Sequence, residues 1–149
     1  MSLFNAISIS ASGMEAQRTR AEIITENLAN ADTTRTPEGG PYKRKDAIFT
    51  TAPAPYSFSD ALSAAAGVSL LGSSDGVAVS DITIDERDPE RRYIPGHPDA
   101  DADGYVAFPR VDPAEEMVDL MSASRGYQAN VAAISAVKDM IAHSIDLFR

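Results

Sequence analysis

Three aspartates separated by single residues, Asp99, Asp101 and Asp103, run into Gly104 and match the opening of a calcium-binding loop. In such loops, oxygen ligands come from the first, third and fifth positions and a glycine makes the sharp turn at the sixth. A chain built around it would be a calcium-responsive binding module. The match then stops. The twelfth position, which should supply a bidentate glutamate, holds Arg110, and Pro95, Pro98 and Pro109 leave no flanking helices. His97 beside Asp99 offers a second chemistry, a general base for a small hydrolase. No nucleophile context, second histidine nearby in sequence or glycine-rich phosphate cradle accompanies it. His143 falls in a helical segment near its C-terminus, where a basic residue is favoured. The loop therefore reads as a polar turn, and no catalytic, metal or cofactor site is expected.

The elements around that turn carry the stronger signal. Met117, Ser124, Val131, Lys138 and Ile145 recur every seven residues and interleave with Leu120, Tyr127, Ile134, Ile141 and Phe148, the three- and four-residue stepping of a coiled-coil seam. Asp112-Pro113-Ala114-Glu115 marks the start of this helix with an N-cap carboxylate, a proline at the first helical position and a glutamate at the third. Leu3, Ile7, Met14, Ala21, Ile24 and Leu28 repeat the design more weakly in a helix from residue 3 to about 30, where Gly13 lowers helix propensity by up to about 1 kcal/mol. At about 1.5 Å per residue the two helices are roughly 40 and 50 Å long, so their apolar seams require each other or a neighbouring subunit.

The expected fold class is α+β. Residues 1–32 and 113–149 form a terminal helical coiled-coil module, and residues 33–112 form a small β-rich and looped insertion. Within the insertion the alternation predicts strands at 42–50, 77–84, 91–94 and 105–108, with a loop at 56–74 that holds one helical turn around 59–66.

Charge and composition narrow the function. The chain has 149 residues, no cysteine, and a net charge of −9, which argues against nucleic-acid binding because phosphate contacts need basic side chains. No stretch approaches the ~20 apolar residues of a membrane span, and the N-terminus lacks the pattern of a cleavable secretory signal. The charge is uneven. Residues 75–116 carry twelve acids against four bases, whereas residues 35–45 carry four bases against one acid. Patches of opposite sign steer association when they meet across subunits, and otherwise are solvated loops.

Two short runs carry a family resemblance. Glu26-Asn27-Leu28-Ala29-Asn30-Ala31-Asp32-Thr33 resembles the Asn-Leu-Ala-Asn-x-x-Thr signature near the N-terminus of the flagellar axial proteins, which form the rod and hook of bacterial flagella. Arg125-Gly126-Tyr127-Gln128-Ala129-Asn130 resembles their C-terminal Arg-x-Tyr-Gln-Ala-Asn signature. Residues 33–42 and 95–106 are similar to the proximal-rod members. One departure is the interval Arg35-Thr36-Pro37-Glu38-Gly39-Gly40-Pro41 before Tyr42-Lys43, where the general signature reaches Gly-Phe/Tyr-Lys directly.

The resemblance implies a structural subunit of the rod, the drive shaft that crosses the periplasm and transmits torque from motor to hook, exported uncleaved through the flagellar type III apparatus. It implies self-association and partners among the other rod proteins (FlgB, FlgF, FlgG) and the adaptor FliE. The candidate assembly residues are Asn27, Leu28, Asn30, Leu120, Tyr127, Gln128, Asn130, Val131, Ile134, Ile141 and Ile145. By their chemistry, Asn27, Asn30 and Asp32 suit a helix end. The amides of Gln128 and Asn130 either bond across to a neighbouring helix or face solvent.

Overall fold

The cap at Asp112 does what its sequence predicts. Its Oδ1 accepts the Ala114 N–H at 2.8 Å, satisfying one orphan donor of the first turn, and its carbonyl accepts the first intrahelical bond, from Glu116 N–H at 3.0 Å. Helix α2 follows as Pro113–Asp146, with Glu115 and Glu116 in its first turn and His143 in its last. Helix α1 spans Leu3–Ala29. The computed structural model describes residues 3–53 and 74–146. The helical turn expected around 59–66 lies outside the described residues.

Helix α1 ends because Asn30 takes over its last carbonyls. The Asn30 backbone N–H and side-chain Nδ2 both donate to Glu26 O, and Asn30 Oδ1 accepts the Thr33 hydroxyl. The chain then turns through Gly39 and Gly40, which adopt φ values of 92° and 79°, a left-handed conformation that favours glycine. Strand β1 (Lys45–Pro53) pairs with β2 (Ser74–Ile84), and β3 (Glu90–Tyr93) pairs antiparallel with β4 (Tyr105–Phe108), with Glu90 opposite Phe108 and Tyr93 opposite Tyr105. Two helices and two small two-stranded sheets make the class α+β. The first strand begins three residues later than its sequence suggests, since Tyr42 turns into the core before the ladder starts. No helix among the described residues is long and apolar enough to cross a membrane.

The chain divides into two compact units, each taking part of both helices. One comprises residues 19–48 and 81–124. Its core consists of Ile23, Ile24, Tyr42, Val106, Phe108 and Ala123, together with two buried polar side chains, Asn27 and Glu116. The β3–β4 hairpin contributes Val106 and Phe108 from one face of β4, and the Arg92 guanidinium lies 4.8 Å from the Phe108 ring centroid.

The described residues of the other unit are 3–18, 49–53, 74–80 and 125–146. Here the helices approach closely and run antiparallel. A Cβ added to Gly13 would sit 3.0 Å from Asn130 Nδ2, and one added to Gly126 would sit 3.1 Å from Gln17 Cδ. Each helix thus meets an amide of the other with a glycine, which accounts for Gly13 despite its cost in helix propensity. Ser12 Oγ, donating to Ile9 O, also accepts the Val77 N–H of β2 at 3.1 Å.

The predicted α2 seam is split by the structure. In one row Leu120, Ile134 and Ile141 are half-buried and Tyr127 is exposed, with Phe148 outside the described residues, while in the other Met117, Ser124, Val131, Lys138 and Ile145 are exposed. The row that turns inward lies one residue earlier: Glu116 and Ala123 are buried, Asn130 is half-buried and Val137 is buried. One position is about 100° of helix rotation, enough to exchange a buried face for a solvent-facing one.

Candidate functional site

The most densely bonded group in the first unit is the amide of Asn27, fully buried near the end of α1. Its Nδ2 donates to Lys45 O at 2.8 Å and to Glu116 Oε2 at 3.3 Å. Its Oδ1 accepts the Tyr42 hydroxyl at 2.9 Å and the Lys45 N–H at 3.0 Å. One side chain therefore joins α1 to the loop after it, to the start of β1 and to the first turn of α2. Asn27, expected to help end the helix, instead clasps three segments, and the ending is left to Asn30.

Charge completes this clasp. Glu116 is buried, and its Oε1 accepts from Arg44 Nε. Arg44 also reaches Asp119 Oδ2 at 3.7 Å and Asp46 Oδ2 at 3.5 Å, while Arg20 donates to Asp119 Oδ1 at 3.3 Å. The Arg44 guanidinium is held more firmly protonated than usual by Glu116 and Asp46, against the opposing effect of its partial burial. Burial first, and then the negative charges of Glu26 and Glu116, push the Tyr42 phenol up to about 12. At neutral pH it is therefore a fixed hydroxyl donor for Asn27. A buried carboxylate is tolerated when it is paired and hydrogen-bonded on both oxygens, as Glu116 is here.

The sequence-derived candidates fall into three groups. Asn27 and Asn30 hold the end of α1, with Leu28 half-buried between them. Asn130, Leu120, Ile134 and Ile141 are half-buried along α2, and the Asn130 amide donates to Gly126 O at 2.9 Å while lying against Gly13. Tyr127, Gln128, Val131 and Ile145 are exposed. Tyr42 and Glu116, the side-chain partners of Asn27, and Arg44, the partner of Glu116, were not legible in the sequence. The only available signal was that an asparagine in an otherwise apolar helical stripe needs partners if buried.

The aspartate loop serves the β3–β4 connection. Asp101 Oδ1 accepts the N–H groups of Asp103 and Tyr105, and Asp99 Oδ2 accepts the Thr34 hydroxyl at 2.8 Å with Arg35 Nη1 3.8 Å from its other oxygen. His97 Nδ1 accepts the Asp99 N–H, so it too is part of the turn. Among the described residues, no three His, Cys, Asp or Glu side chains are grouped to hold a metal ion. The carboxylates here cap backbone and bond neighbouring loops, which is structural work, and nothing supports the calcium-module reading.

Comparison with known proteins agrees with that architecture. Residues 7–35 match the family model described as flagella basal body rod protein, and residues 102–147 match the flagellar basal body rod FlgEFG protein C-terminal family. The chain is 42% identical over 154 residues to the flagellar basal-body rod protein FlgC of Bacillus subtilis, covering 99% of each. It is 39% identical over 160 residues to the FlgC of Borreliella burgdorferi, covering 100% of this chain and 99% of that one. It is 40% identical over 147 residues to the FlgC of Escherichia coli O6:H1, covering 99% of this chain and 98% of that one. These relatives are structural rod proteins, not enzymes, and they locate the chain in the flagellar basal body. A buried clasp joining both terminal helices, two helical signatures in the same order and full-length similarity lead to one conclusion: the chain belongs to the FlgC family of flagellar basal-body rod proteins.

Proposed function

We propose that this rod subunit assembles helically through its terminal helices, which form a coiled-coil module with their counterparts in neighbouring subunits, and so transmits torque from motor to hook. The observation that carries this reading is the outward face of α2. Met117, Val118, Met121, Tyr127, Val131, Met140 and Ile145 each leave between 42% and 63% of their surface exposed. Apolar side chains repeated along one helix are a protein-contact surface, and a subunit of a rod has neighbours to cover them. The neighbours are other copies and the rod proteins FlgB, FlgF and FlgG, with FliE at the base. The subunit reaches the periplasmic rod through the flagellar type III export apparatus.

The test uses Val131→Asp and Ile145→Asp, because both positions are exposed and the isolated fold tolerates a carboxylate there. In a neighbour-covered seam the same carboxylate costs several kcal/mol unless paired. Both variants should be exported and should show unchanged circular dichroism, yet be missing from isolated basal bodies and abolish motility. Normal swimming by both would refute a role for α2 in assembly.

A further inference from the structure

In a chain of net charge −9, a cleft of about 170 Å³ is lined by four cationic side chains, Lys43, Arg44, Arg87 and Arg110. Its rim is stiff. Thr36 and Gly39–Gly40 close on each other through Gly39 N–H to Thr36 O and Thr36 N–H to Gly40 O, and Pro41, Pro89 and Pro109 form walls. Two of the cations are already committed. Arg87 grips Asp85 at 2.6 and 2.9 Å, and Arg44 is held by Glu116, Asp46 and Asp119. Lys43 and Arg110 are exposed, and Arg110 acts through space on the carboxylates of Asp85 and Glu90 without a direct hydrogen bond to either. With Asp85 already gripped by Arg87, the cleft keeps a net positive charge, carried by the exposed Lys43 and Arg110.

The same unit carries a complementary feature. The turn between β3 and β4 presents Asp101 and Asp103, both exposed, on a backbone fixed by the two N–H bonds to Asp101 Oδ1 and by Ile94 N–H to Gly104 O. No hydrogen bond or ion pair joins this acidic tip to the cleft within one chain. We propose that the cleft of one copy receives the Asp101–Asp103 tip of a neighbouring copy. The inference rests on the rod reading, which supplies adjacent copies. The two patches differ, so the contact is heterologous. Contacts of that type propagate into rings or helical polymers and do not stop at a dimer.

The test expresses charge variants as the sole copy in a motile host and measures subunit content of isolated basal bodies. Lys43→Glu with Arg110→Glu should lower incorporation by about tenfold, Asp103→Lys should do the same, and combining all three changes should recover most of the loss, as complementary charge pairs do. Because the parent chain has no cysteine, a Lys43→Cys, Asp103→Cys variant gives an independent readout, a disulfide ladder between copies in assembled rods. The proposal is overturned if the cleft variant incorporates like its parent, if the combined variant does no better than the single ones, or if no ladder forms under oxidation. Failure of the unaltered chain to enter the rod would refute the rod reading instead.

Discussion

Replacing Asn27 by alanine should be the most damaging single truncation in α1. The change leaves the buried Tyr42 hydroxyl and Glu116 Oε2 each short of one partner, at about 1–3 kcal/mol apiece for an unsatisfied buried group. The Lys45 N–H and C=O also lose Asn27, but water reaches that part-buried strand end and replaces much of the loss. A total near 4 kcal/mol is a large share of the roughly 5–15 kcal/mol that holds a folded domain. At about 2–4 °C per kcal/mol for a chain of this size, the midpoint should fall by roughly 8–16 °C. Asn30→Ala is the comparison. Its side chain is half-buried and bonds Glu26 O and the Thr33 hydroxyl, so about 1 kcal/mol is expected, as for other helix-terminal caps. Asn27→Asp keeps the acceptor for Tyr42 but sets a carboxylate oxygen against Glu116 and Lys45 O, and should be no better than alanine. Thermal and urea unfolding followed by circular dichroism decide the matter. An Asn27→Ala loss below about 1 kcal/mol, or no larger than that of Asn30→Ala, would refute the clasp as the element joining these segments.

Alkaline stability should depend on Tyr42: the unfolded chain ionises it near pH 10 and the folded chain only near 12, so stability is intact below pH 10 and falls by up to roughly 2 kcal/mol as pH rises to 12. The last phenolate to form should appear together with unfolding, and an unchanged alkaline limb in Tyr42→Phe would count against this. Gly13→Ala should fail to give the ~0.5–1 kcal/mol gain usual for that change in a helix, because its methyl displaces the Asn130 amide from Gly126 O. The gain should reappear when Asn130→Ser is added, as measured by thermal unfolding of the single and double variants. Calcium titrated calorimetrically should give no saturable one-to-one isotherm, since Asp99 and Asp101 are engaged within the chain and Arg110 stands where the bidentate glutamate belongs.

Local signals read well in this sequence, and distant ones did not. The start of α2 was legible at Asp112-Pro113 because capping is settled within four residues, and the strand at 105–108 was fixed by its alternation. The α2 row that packs within the chain was not legible in the sequence for a physical reason. An apolar count favours Met117, Val131 and Ile145, whereas the inward row contains Glu116 and Asn130. Their burial becomes affordable only through Arg44, Asn27 and Gly13, residues from 72 to 117 positions away. The exposed apolar row is what an isolated chain leaves over once that polar row has been satisfied. Tyr42 read as a strand residue for a similar reason, since its hydroxyl is committed to a helix that precedes it by 15 residues. The basic run at 35–45 was visible as charge, but its cleft is completed by Asp85, Arg87 and Arg110 from beyond the next strands.

The outward face of α2 also sets the chain's chemical durability. With no cysteine present, methionine is its readily oxidised residue, and three of its five, Met117, Met121 and Met140, stand about half exposed on that helix. Oxidation converts each flexible thioether into a polar sulfoxide. A subunit damaged before incorporation would carry hydrophilic groups where its neighbours require apolar ones. Once incorporated, the same sulfurs would be shielded by those neighbours. Oxidative wear would thus act as a filter on unassembled subunits and spare the finished shaft.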